Sequence, residues 1–148
     1  MKREHTLYRL LYVSDKSSDV PCDIEKITET SRAFNSQNNI TGSLWFDGVH
    51  FLQLLEGSKD ALNEVFQRIL MSRYHENVDV ICFQKTKGRI YGDWALSYFG
   101  SQSHNREVAE HFSGGADLCL RSLRSGTLIE MLSFLEQERQ NQLDRCVG

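Results

Sequence analysis

The sequence predicts an α+β fold: a ferredoxin-like sheet with two helices on one face and C-terminal helices covering the other. Three observations carry this. Strand-like alternation and helix-like spacing follow one another in the order strand, helix, strand, strand, helix, strand, with one strand more, which is the split βαβ arrangement. Asp47-Gly48, set between two apolar runs, is a two-residue hairpin turn. Leu7, Leu11, Leu52 and Leu54 load the sheet's second face with apolar side chains, so a further layer is required.

Leu7 to Ser14 alternates as the first strand. Tyr8, Leu10 and Tyr12 share one face, and Leu7, Arg9, Leu11 and Val13 the other. After the polar loop DKSSDVPCD, Asp23 caps a helix running to about Asn38. Ile24, Ile27, Ser31 and Phe34 fall on its inner side. Asn35, four residues beyond Ser31, touches the same face. Thr41 to Phe46 and Val49 to Leu55 form the hairpin. Ser58 caps a second helix with Ala61, Leu62, Val65, Phe66, Ile69 and Leu70 as its buried stripe and Arg68 at the stripe's flank. Val78 to Phe83 and Trp94 to Phe99 complete the strands.

Residues 1–100 read as one unit and residues 101–148 as a helical extension. Asn105 to Phe112 is a short helix ended by Gly114-Gly115. A second begins at Thr127, where Thr127 and Glu130 have the spacing of a capping box. Leu128, Ile129, Met131, Leu132, Phe134 and Leu135 make a stripe wider than one contact normally buries. That width predicts a homo-oligomer or a partner surface, unless Leu118, Leu120 and Leu123 cover its outer side.

The 148 residues suffice for a real hydrophobic core, and the net charge of -3 is too mild for a nucleic-acid or anionic-membrane surface. No apolar run is long enough to span a bilayer. The start, MKREHTLYRLLYV, is interrupted by Arg9 and two tyrosines and does not read as a leader. Cys22, Cys82, Cys119 and Cys146 form no C-x-x-C pair and read as free thiols in a reducing cytoplasm. The histidines do not cluster. Phosphate-loop, dinucleotide-binding and nucleophile-elbow motifs are all missing, so the common routes to an enzyme are empty.

One residue resists a purely structural reading. Gln53 lies in mid-strand among Leu52, Leu54 and Leu55, and its amide requires a partner. Tyr12 ends the first strand, and Asn35 faces the sheet from the first helix. Amides and phenols both donate and accept. A planar heterocycle between the two helices would meet all three, with Asn35 matching adjacent C=O and N–H groups and Arg68 donating to a second carbonyl. Taken singly, each residue has a plainer reading: Tyr12 and Gln53 bonded to backbone in the core, Arg68 on a solvated helix edge, Trp94 packed in the core.

The segments LYRLLYVS, TETSRAFNSQNNITGSLWFDGVHFLQLLEG, SRYHENV and YGDWALSYF settle the choice. Their order, spacing and residue types resemble the BLUF family, blue-light sensors that use flavin. The resemblance covers Leu7 to about Phe99, and the tail resembles more loosely the two-helix extension of short, single-domain members. It implies a flavin held non-covalently between the helices, FAD in the usual case, with FMN left open. Tyr12 takes the position of the photoactive tyrosine and Gln53 that of the switching glutamine. Asn35 takes that of the asparagine on the C4=O and N3–H edge, and Arg68 that of an arginine near C2=O. Ile40 and Phe51 match apolar residues against the ring. Trp94 and Leu96 match the last-strand positions tied to signalling, either of which stands next to the flavin. Phe34 replaces the family's frequent His or Asn, Leu96 its common Met, and Ser72 its frequent Asp.

The implied photochemistry is light-driven transfer of an electron and a proton from tyrosine to flavin, after which the glutamine is rotated, tautomerised or both. The resulting red-shifted state would be relayed to a separate signalling protein, with no nucleic acid, membrane or enzymatic turnover involved. The competing readings are an acylphosphatase-like hydrolase, which lacks its Gly-rich anion loop here, and a ferredoxin-like small-molecule-binding regulator without photochemistry. Both rivals would be colourless.

Overall fold

The computed structural model describes residues 6–114 and 119–147. Five strands form one sheet: β1 (Leu7–Lys16), β2 (Thr41–Phe46), β3 (His50–Ser58), β4 (His75–Lys85) and β5 (Ser97–Phe99). Their spatial order is β4-β1-β3-β2-β5, antiparallel throughout except for the parallel β2–β5 pair. The helices are α1 (Ile24–Gln37), α2 (Lys59–Leu70), α3 (Gln102–Ser113) and α4 (Ser125–Val147), with a 3-10 turn at Leu120–Ser122. This is the α+β, ferredoxin-like topology that the pattern of elements predicts.

Local chemistry sets the boundaries. The Asp23 side chain accepts from the Lys26 N–H, and the Ser58 hydroxyl accepts from the Ala61 N–H, so each satisfies a free donor at its helix start. Gly48 turns the hairpin at φ +97°, a region that side chains other than hydrogen disfavour. Gly114 ends α3 in the left-handed conformation, with its N–H bonded to the Glu110 carbonyl.

Four expectations require correction. The last strand is Ser97–Phe99 and not Trp94–Phe99, because the Trp94 N–H bonds back to the Tyr91 carbonyl across Gly92, which holds φ +60°. The chain is therefore still turning where a strand was expected. The tail helix starts at Ser125, with the Leu128 N–H already bonded to the Arg124 carbonyl, so Thr127 and Glu130 lie inside the helix and are not its capping box. Leu70 is exposed, since the apolar stripe of α2 follows Leu62, Val65 and the half-buried Ile69, and Leu70 turns away from it. Leu7 is half-buried and stands apart from the core that Leu11, Leu52 and Leu54 join. Leu118 and Gly115 lie outside the described residues.

The two faces of the sheet are covered differently. On one face, Leu11, Val13, Trp45, Leu52 and Leu54 pack against Leu128, Met131, Leu132 and Leu135 of α4 and Val108 and Ala109 of α3. The tail thus shares a core with the sheet. Arg121 reinforces the junction by bonding Asp15 on β1 and Asp79 on β4. The chain itself absorbs most of the α4 stripe; of its six apolar residues only Phe134 is exposed, so the stripe's width no longer argues for a second subunit. On the other face lie α1 and α2.

Among the described residues, no helix is long and apolar enough to cross a membrane.

Candidate functional site

Tyr12 and Gln53 sit directly opposite each other in the β1–β3 register, and strand alternation turns both toward α1 and α2. Both are buried, and the Tyr12 hydroxyl donates to Gln53 Oε1. The acceptor end of the amide is therefore occupied. Burial pushes the Tyr12 phenol well above its ordinary pKa, so it stays a neutral donor.

A cleft of about 450 Å³ opens between the two helices, walled by Ile27, Ser31 and Phe34 of α1, Val65 and Arg68 of α2, and His75 at the start of β4. The Arg68 guanidinium lies 4.4 Å over the Phe34 ring, a cation–π contact that bridges the helices. His75 meets Tyr12 edge-on at a centroid distance of 6.2 Å and Phe51 at 4.6 Å. Its Nδ1 is 2.8 Å from the Ser14 hydroxyl. Burial lowers the His75 pKa to about 4, so the ring is neutral near pH 7. Two irregularities in the β1–β4 ladder, between Leu11 and Tyr12 and between Val13 and Asp15, flank this corner.

Asn35 is fully buried. Its Nδ2 donates to the Ala95 carbonyl at 2.9 Å, while its Oδ1 has no partner among the described residues. A buried carbonyl oxygen left without a donor is costly, and an imide N–H is the kind of group that would satisfy it. Asn35 and Ile40 wall a smaller depression of about 290 Å³ at the far end of α1. Phe51 and Leu96 pack with Ile27 and Leu44 in one buried cluster beside the cleft.

The structure therefore joins Tyr12 to Gln53, packs Phe51 and Leu96 together with Ile27 of the cleft wall, sets Arg68 across from α1, and leaves Asn35 and Ile40 at the separate depression. Trp94 stands elsewhere. It is 45% exposed, neither in the core nor at the cleft, with the Arg139 guanidinium of α4 lying 4.3 Å over its ring. Between the two last-strand candidates, Leu96 is the inward one. His75 escaped the sequence reading because it belongs to no metal or catalytic motif. The available signal was its place in SRYH, just after α2, where the chain must turn back under the cleft.

These residues fit a flavin. Ile27, Phe34 and Val65 offer apolar walls to a planar ring, while the Asn35 and Gln53 amides, which lie outside the cleft lining, are the polar groups nearby that can pair with a ring's C=O and N–H edge. Among the described residues no cluster of three or more His, Cys, Asp or Glu forms a metal site.

The comparisons with known proteins agree. Residues 7–97 match the BLUF family model, described as sensors of blue-light using FAD. The chain belongs to this family of blue-light flavin photoreceptors. It is 29% identical over 102 residues to the blue light- and temperature-regulated antirepressor BluF of Escherichia coli strain K12, matching 68% of this chain. The matched region spans 25% of that relative's length. Among solved structures, the dark state of the BLUF protein BlrB is 29% identical with a TM-score of 0.67, covering 74% of this chain and 83% of that one. The photo-activated state of BlsA shares the fold at a TM-score of 0.77 and 23% identity, covering 88% of this chain and 94% of that one.

Proposed function

We propose that the chain binds one flavin non-covalently, FAD by the family's description with FMN as the other candidate, and reports blue light through Tyr12 and Gln53. The observation that carries this is the buried hydrogen bond from Tyr12 to Gln53 behind the α1–α2 cleft. Bound flavin supplies blue-light absorption and, once excited, an acceptor for one electron and one proton.

The protein's part follows from its own groups. Tyr12 is a neutral phenol, and a phenol that gives up an electron also gives up its proton readily. Gln53 Oε1 accepts that proton's hydrogen bond in the dark. With the proton displaced, Oε1 loses its donor, and the amide is free to turn end for end or change tautomer. Return of electron and proton restores the phenol and leaves the amide as the altered element. Asn35 orients the ring edge through its free Oδ1, with its Nδ2 anchored on the Ala95 carbonyl. Arg68 serves a ring carbonyl if it leaves the face of Phe34. Neutral His75 keeps charge away from Tyr12.

One amide reversal redistributes hydrogen bonds worth about 0.5–1.5 kcal/mol each, enough to shift a population but not to force a large rearrangement. The segment from Trp94 to Leu96 links the cleft to α4 and is the natural element to carry that bias. Output passes to a separate signalling protein in the cytoplasm, from a non-enzymatic sensor whose residues 1–100 form the photosensor and 101–148 the extension.

Purified protein should be yellow and release intact flavin on denaturation. Blue light should move its absorption band to longer wavelength, with return in the dark. Colourless protein, or irreversible bleaching in place of a shift, would contradict the proposal.

A further inference from the structure

Glu56 is a charged side chain with 0% exposure, next to the end of β3 on the face that carries Leu52 and Leu54. A carboxylate that deep in a sheet must be fully hydrogen-bonded to be tolerated. Its donors come mostly from one place. Oε2 accepts from the Ile90 N–H at 2.6 Å, and Oε1 accepts from the Tyr91 N–H at 3.3 Å and the Thr41 hydroxyl at 2.9 Å. Arg89 completes the attachment, with Nη1 on the Thr41 hydroxyl and the Glu56 carbonyl and Nη2 on the Asn39 carbonyl.

The segment so held is the irregular connection between β4 and β5, residues 86–96. Without a ladder of its own, its backbone depends on such contacts for a fixed path. It touches both faces of the molecule. Tyr91 is buried in the core under α4, with its hydroxyl accepting from Ser43 at 2.6 Å. The Ala95 carbonyl four residues on receives Asn35 Nδ2, and Leu96 packs against Phe51. A displacement of this connection would move the acceptor that fixes the Asn35 amide.

We propose that Glu56 is a positioning residue for the flavin site. It pins Ile90 and Tyr91, and thereby sets where the Ala95 carbonyl holds Asn35 and how strongly Asn35 Oδ1 engages the flavin's N–H edge. The inference rests on the photoreceptor reading of the cleft. It adds a control point on the opposite face of the sheet that contacts neither Tyr12 nor Gln53.

The test compares wild type with Glu56→Gln in the full chain. An amide keeps the size of the carboxylate but removes its charge and turns one acceptor into a donor facing a backbone N–H. Hydrogen exchange in flavin-free protein should accelerate about fivefold or more at Ile90 and Tyr91, the change that loss of one hydrogen bond brings. In flavin-loaded protein, the flavin C4=O vibrational band should shift and dark recovery should change by about fivefold, because the Asn35 bond has weakened. Thr41→Val leaves both backbone donors on Glu56 and should move the same readouts in the same direction by less, which keeps the test decisive should Glu56→Gln not fold. Wild-type exchange, carbonyl band and recovery in a variant that folds would overturn the inference. Faster exchange with an unchanged carbonyl band and recovery would overturn it as well, reducing Glu56 to a loop anchor. A wild-type protein without any light-induced shift would instead defeat the photoreceptor reading, and the exchange data would still decide whether Glu56 pins the connection.

Discussion

The two faces of the sheet solve opposite problems. Under α3 and α4, Leu11, Val13, Leu52 and Leu54 are fully buried against Leu128, Met131 and Leu132 in a closed apolar layer. Under α1 and α2 the helices stand apart around a cleft of about 450 Å³, bridged by Arg68 on Phe34, with a tyrosine–glutamine pair behind it. Close packing stabilises, and a roomy cleft with unspent hydrogen-bonding groups binds. On the proposed reading, the contrast gives stability to the tail face and light sensing to the cleft face. The connection from Arg89 to Leu96 is the thread between them.

Breaking the closed face should have the largest effect on stability. Leu132→Ala removes a fully buried side chain and should cost about 2–5 kcal/mol, read by urea unfolding. Ser31→Ala on the cleft wall should stay within about 0.5 kcal/mol, since that residue is only half-buried. Equal costs at the two sites would erase the contrast.

His75 offers a pH test of the cleft face. Its pKa falls from 6.5 in the unfolded chain to about 4 in the fold. Between those values the unfolded chain holds the extra proton, so acidification favours unfolding. The loss begins below pH 6.5 and is complete near pH 4, where it reaches on the order of 3 kcal/mol. His75→Phe should flatten the stability profile across that window. An unchanged slope in the variant would mean that His75 is not held neutral against Phe51 and Tyr12.

Much of this was legible in the sequence, and the parts that were not share a cause. The caps at Asp23 and Ser58, the Asp47-Gly48 turn and the alternation of β1 are local signals, and local chemistry decides them. Strand period put Tyr12 on one face of β1 with Tyr8 and Leu10, whereas its pairing with Gln53 is set by the β1–β3 register. What failed were mostly features fixed by distant partners, with one helix start misplaced by two residues. Trp94 reads as strand by residue type, and although Gly92-Asp93 is a local turn signal, the Arg139 that lies over its ring comes from a distant helix. Thr127 and Glu130 matched a cap, but the helix had already begun at Ser125. Glu56 went unremarked because its donors sit more than thirty residues away, at Ile90 and Tyr91. The stacking of Arg68 on Phe34 likewise depends on how α1 meets α2.

The central claim is that Tyr12, and not another phenol on the same strand face, drives the switch through Gln53. Tyr8 is the built-in control: it shares the face of Tyr12 but packs against Phe83, with ring centroids 5.8 Å apart. The decisive measurement is the light-minus-dark absorption spectrum of Tyr12→Phe beside that of Tyr8→Phe, both loaded with flavin. Tyr12→Phe should keep the chromophore and lose the red-shifted state entirely, while Tyr8→Phe retains it. A Tyr12→Phe protein that still shifts to the red and recovers in the dark would contradict the account.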